Sequence, residues 1–207
     1  MKRPALILFI ALFSISAQAQ FTFGPKIGFT LNTLSIDQST ITTELNNSFL
    51  FGVFARIGKK VYLQPELNWY TSGAVFKRPS IGSLSPFEQE VLLSNIQVPV
   101  LLGMKIIDIK AACIRAAIGP SMNIIVDKKI KTLNSSGYMK PIEKSDINTL
   151  HWGLNIGAGA DVLMFTFDVK VMLGLSSIID NVDIDNSPVL FDSRSNGFVV
   201  SIGWKIL

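Results

Sequence analysis

Eight stretches of the chain alternate apolar and polar side chains with a period of two: residues 23–34, 48–58, 61–76, 91–106, 112–126, 150–163, 165–179 and 197–207. That period is the signature of a β-strand with one apolar face, and these stretches are rich in β-branched and aromatic residues. No helix is predicted. Polar runs rich in Ser, Thr, Asn, Asp and Pro separate them at residues 35–47, 77–90, 127–149 and 180–196, whereas the joints at Lys59-Lys60, at residues 107–110 and at Met164 are only a few residues long. Connections that alternate long and short predict an all-β, eight-stranded antiparallel up-and-down barrel, with both chain ends on the short-turn side.

Parity assigns the faces. Phe49, Phe51, Val53, Ala55 and Ile57 share one side of the second stretch, opposite Gly52, Arg56 and Gly58. In the seventh, Phe165, Phe167, Val169, Val171, Leu173 and Leu175 oppose Thr166, Asp168, Lys170 and Gly174. Eleven of the fifteen glycines fall on the polar parity. An eight-stranded interior is only just wide enough for side chains, so small residues belong inside and the bulky apolar face belongs outside. A continuous apolar belt of that kind far exceeds the patch a soluble monomer exposes, which points to lipid around it and predicts a transmembrane barrel with short periplasmic turns and long external loops.

Charge follows the same division. Lys26, Arg56, Glu66, Lys105, Arg115, Asp161, Asp168, Lys170 and Lys205 all take the inward parity, six positive and three negative, and are expected to form a lumen charge network. A Lys or Arg facing lipid at mid-bilayer costs about 2–4 kcal/mol, which accounts for their absence from the apolar parity. Trp69 and Trp152 toward the loop end and Trp204 toward the turn end are placed as interfacial girdles.

Composition sharpens this picture. The 207 residues are 48% hydrophobic and 16% charged, with a formal net charge of +4 and a mean hydropathy of +0.40. Lys2 and Arg3, the apolar run at residues 5–15 and Ala17-Gln18-Ala19 read as a secretory signal peptide, so residues 1–19 are expected to be removed and residues 20–207 to form the barrel domain. Loss of Lys2 and Arg3 lowers the net charge from +4 to +2. A single cysteine, Cys113, excludes an intramolecular disulfide, and a single histidine, His151, leaves no histidine pair for zinc. No catalytic, cofactor-binding or metal site is assigned, no cofactor is expected, and no nucleic-acid motif is present.

Five motifs carry a family resemblance: Gly24-Pro25-Lys26-Ile27-Gly28, Tyr62-Leu63-Gln64-Pro65-Glu66-Leu67 followed by Gly73-Ala74, Ile96-Gln97-Val98-Pro99-Val100-Leu101-Leu102, Gly119-Pro120 and Gly157-Ala158-Gly159. In order and spacing they resemble the PorT-like outer-membrane β-barrel proteins over nearly the whole mature chain. The resemblance implies an eight-stranded outer-membrane barrel but no single activity, one branch of the family serving protein secretion. The chain departs from the usual barrel ending, an aromatic residue, by closing on Leu207.

The functional expectation is an outer-membrane scaffold or interaction protein, not an enzyme, presenting four external loops. Its expected partners are outer-membrane lipid and, through the loops, lipopolysaccharide or envelope and secretion proteins. The longest loop carries Lys128, Lys129, Lys131, Lys140 and Lys144 against Asp127, Glu143 and Asp146. Two alternatives stay open: a narrow ion or small-solute channel, and an envelope hydrolase or acyltransferase built on His151 with Ser145 and Asp146. The second needs a nucleophile and an orienting carboxylate within hydrogen-bond reach, which closeness in a 23-residue loop does not supply.

Overall fold

The computed structural model describes residues 20–35, 42–43, 46–78, 87–109, 111–134, 147–177, 182–184, 187–189 and 194–206. Eight strands form the wall: β1 (Phe21–Ser35), β2 (Asn46–Gly58), β3 (Val61–Arg78), β4 (Phe87–Ile109), β5 (Ala112–Asn134), β6 (Leu150–Val162), β7 (Phe165–Gly174) and β8 (Arg194–Trp204). Each pairs antiparallel with its sequence neighbour, and β1 pairs with β8 from Lys26↔Gly203 to Ser35↔Arg194, which closes the sheet. The protein is a closed eight-stranded antiparallel β-barrel, all-β among the described residues. Closure removes the unpaired strand edges that an open sheet would present to lipid.

The short connections are tight. Gly58 carries a φ of 134° where β2 turns into β3, a backbone region that disfavours any side chain, and Leu163 takes a φ of 52° in the two-residue turn between β6 and β7. Phe29, Phe49, Phe51, Leu67, Trp69, Leu102, Trp152, Phe167, Val200 and Trp204 all point outward and are exposed. Alternation is unbroken along β7, where Thr166, Asp168, Lys170 and Met172 are buried between exposed neighbours. The apolar belt therefore faces the surroundings, and only hydrocarbon solvates such a belt without a large penalty.

Two expectations need correction. The polar runs at 77–90 and 127–149 were expected to be loops, yet β3 continues to Arg78, β4 begins at Phe87 and β5 reaches Asn134. β4 and β5 each contain 23 residues, against the roughly 9–11 that cross a bilayer. β2 leaves β3 after Leu50↔Tyr70, and β6 leaves β5 after Ile124↔Leu150, so β3, β4 and β5 run on past the wall as a three-stranded sheet. A register shift between Ser94 and Asn95 marks the departure point, where a bulge sharpens the twist. The two-residue strand Thr42–Thr43 pairs with β3 at Lys77 and Phe76, inside a run also expected to be loop. Conversely, β7 stops at Gly174, before the expected end at residue 179, and the turn expected at 107–110 begins only after Ile109. Residues 127–134 show no alternation of apolar and polar side chains to read.

The second correction concerns the interior. Leu50, Phe54, Tyr62, Tyr70, Val91, Leu93, Leu101, Ile125, Met172 and Val199 are buried on the inward parity. The lumen is therefore mixed, not uniformly polar.

Candidate functional site

The inward charges assemble into two layers across the lumen. In the first, Glu66 on β3 accepts from Lys26 on β1 through Oε2 and from Lys170 on β7 through Oε1. Gln64 Nε2 donates to Glu66 Oε1 at 2.7 Å and Asn68 Nδ2 donates to Oε2 at 3.2 Å, so both oxygens are fully engaged. The three charged side chains are each buried. One carboxylate on β3 thus joins a lysine two strands away on β1 to a lysine on the facing strand β7.

The second layer lies toward the short turns. Arg56 Nη1 on β2 donates to Asp161 Oδ2 on β6 at 2.6 Å, and Arg115 Nε on β5 donates to Asp161 Oδ1 at 3.0 Å. Arg115 Nη2 meets Asp168 Oδ1 on β7 at 2.7 Å and also donates to Thr166. Arg56 Nε donates to Gln64 Oε1 at 2.9 Å, which ties this layer to the first. The Arg56 guanidinium also lies 5.0 Å from the Tyr62 ring centroid. Glycines make room for this packing: a Cβ on Gly159 would stand 2.5 Å from Asp168 Oδ1 and 2.7 Å from Arg115 Nη2.

Of the nine inward charges, seven therefore meet inside the lumen. The other two, Lys105 and Lys205, sit at the turn-side mouth. Lys205 Nζ is 3.8 Å from Asp161 Oδ2, and Lys105 pairs with the exposed Asp108 at 3.2 Å. Each ion that leaves water for this interior needs its partner, because the desolvation cost exceeds any one contact. Shared carboxylates satisfy that condition for four cations, Lys26, Arg56, Arg115 and Lys170, with three acids.

The loop-side half is filled differently. Leu50, Tyr70, Met172 and Val199 form an apolar cluster above the Glu66 layer. Beside it His151, Ser121 and Asn155 surround a void of about 10 Å³, and His151 Nδ1, Ser121 Oγ and Asn155 Oδ1 have no hydrogen-bond partner among the described residues. His151 is buried inside the barrel, opposite Asn123. Among the described residues no carboxylate lines that void. Ser145 and Asp146, the other members of the imagined hydrolase, lie outside the described residues. Cys113 is buried and free, opposite Asp108 and Asp161.

Lys128, Lys129 and Lys131 are on β5, not in a loop, and Lys128 Nζ donates to the Ile147 carbonyl at 2.5 Å. Lys140, Glu143, Lys144 and Asp146 lie outside the described residues, as do residues 1–19 of the expected signal peptide.

This chain belongs to the family of the outer membrane protein β-barrel domain, whose model matches residues 16–180. Family membership places the protein in an outer membrane. The chain is similar to the solved structure of Ail, the attachment invasion locus protein of Yersinia pestis, with 12% identity and a TM-score of 0.46 over 90% of this chain and 99% of that one. Ail in complex with the heparin analogue sucrose octasulfate gives 11% identity and the same TM-score of 0.46, with 90% and 99% covered. Neisserial surface protein A is similar at 10% identity and a TM-score of 0.41, covering 89% of this chain and 97% of its own. No curated protein sequence matches the chain.

Proposed function

From membership of that family, we propose that the protein is a non-conducting, non-enzymatic outer-membrane barrel of the PorT-like type that acts as a scaffold. On this reading the lumen is a strut, and the working surface is the β3–β4–β5 sheet with the loops around it. Lipid holds the belt, while lipopolysaccharide or envelope and secretion proteins meet the elevated sheet.

The observation that carries this reading is the occupation of the lumen. Side chains from β1, β2, β3, β5, β6 and β7 meet across it in two ion-paired layers, with an apolar cluster above them. A pore that conducts needs a continuous wet path and side chains free to pass an ion between sites. Here the charged groups hold one another. The motifs shared with PorT-like proteins agree with this: Gln64, Glu66 and the residues around them are the ones that make the first layer.

Planar bilayers containing the purified barrel test the reading. The expected record shows no stepwise conductance. A steady conductance whose ion selectivity changes on Arg115→Gln would establish the channel alternative instead.

A further inference from the structure

At the short-turn end the barrel opens into a vestibule of about 530 Å³. That volume lies in the range of small-molecule sites. Its floor is the Arg56–Asp161 ion pair, so it is closed toward the lumen on that side. Three cations line it, Arg56, Lys105 and Lys205, against two acids, Asp108 and Asp161.

These acids do not neutralise the cations. Asp161 is already shared by Arg56 and by Arg115 beneath the floor, and Lys205 reaches it only at 3.8 Å. Asp108 has a side chain 57% exposed, so its pairing with Lys105 is strongly screened. Arg56 is itself 3% exposed and held by Asp161 and Gln64, so the cations open to the vestibule are Lys105 and Lys205, with side chains 13% and 21% exposed. Much of the remaining wall is apolar, with Leu163 and Met164 at its lip. The two lysines and the apolar lip together select a group with one negative and one greasy end. A carboxylate, with two acceptor oxygens, can accept from more than one ammonium group.

We propose that the turn-side vestibule is a binding site for a carboxylate bearing an apolar tail. The carboxylate is held by Lys105 and Lys205, and the tail lies along the lip. The same chemistry is offered by a free short-chain acid and by the C-terminal residue of a periplasmic peptide.

Isothermal titration calorimetry on the folded barrel in detergent tests this, with hexanoate as one probe and the tripeptide Val-Val-Leu, free or amidated at its C-terminus, as the other. Saturable one-to-one binding is expected for hexanoate or the free-acid peptide, and none for hexanamide or the amidated peptide. Tighter binding of hexanoate assigns the site to free acids; tighter binding of the peptide assigns it to chain termini. The double variant Lys105→Gln/Lys205→Gln, which leaves the Glu66 layer untouched, is expected to weaken binding at least tenfold. Absence of saturable binding by both acids, equal binding of the amides, or an affinity unchanged in the double variant would overturn the proposal.

Discussion

The two halves of this lumen fill the same cylinder by opposite means. Toward the turns, Arg56, Arg115, Asp161 and Asp168 interlock, and Lys26 and Lys170 share Glu66. Toward the loops, Leu50, Tyr70, Met172 and Val199 pack together beside uncharged polar groups, and among the described residues no Lys, Arg, Asp or Glu is buried there. An apolar plug tolerates imperfect partners, because a methyl group without a neighbour loses only dispersion contacts. An ionic layer has no such tolerance, since every charge in it depends on the others being present. The charged half is therefore expected to specify the barrel's geometry, and the apolar half to seal it.

Removing Glu66 strikes the charged half hardest. Glu66→Ala leaves Lys26 and Lys170 buried without an acid and removes the acceptor of Gln64 and Asn68. Breaking a buried pair by deleting one partner costs about 3–5 kcal/mol. Urea unfolding of the barrel in micelles, followed by the shift between folded and unfolded bands on an unheated gel, should show a loss of that size. The comparison sharpens with the triple variant Lys26→Met/Glu66→Leu/Lys170→Met, which removes all three charges. Recovery of most of the lost stability is expected, because apolar groups of similar volume replace ion pairs at little net cost. A triple variant as unstable as Glu66→Ala would show that shape, not charge pairing, holds this layer.

In the loop-side half the matching change is Leu50→Ala. Leu50 is 1% exposed, so its truncation leaves a cavity beneath Tyr70 and Met172. The cost expected from lost transfer energy plus cavity is about 3 kcal/mol by the same unfolding assay. Leu50→Met, which restores volume, should return all but about 1 kcal/mol of it. No uncharged replacement of Glu66 alone does the same, because Lys26 and Lys170 would stay charged and lose their acid.

The same contrast explains what the sequence disclosed. Strand positions, their faces and the closed barrel were legible because lipid outside enforces a strict period: Phe165, Phe167, Val169 and Val171 leave no ambiguity. Inward parity is less constrained, since lumen positions accept charge, glycine or bulk as local width permits. Leu50 and Phe54 share the parity of Gly52 and Arg56, a signal that was present and simply outvoted by its neighbours. Which lysine meets which acid was not legible, because Lys170 and Glu66 are 104 residues apart and only closure brings β7 across from β3. The reach of β5 to Asn134 was not legible for another reason: residues 127–134 pair with β4 through their backbones and show no alternation of apolar and polar side chains.

That extension offers the weakest member of the comparison, an ion pair of the same kind placed outside. Lys129 Nζ lies 3.6 Å from Asp127 Oδ2, with side chains 69% and 49% exposed. Water already solvates both groups, so the pair gains little Coulomb energy and gives up side-chain freedom to form. Lys129→Gln is therefore expected to change stability by under about 1 kcal/mol, with the residual effect vanishing in molar salt. Glu66→Ala, whose charges are shielded from solvent ions, should keep its full loss at the same salt concentration. If Lys129→Gln destabilised the barrel as much as the lumen change does, burial would not be what separates the two kinds of pair, and the ranking of the halves would lose its physical basis.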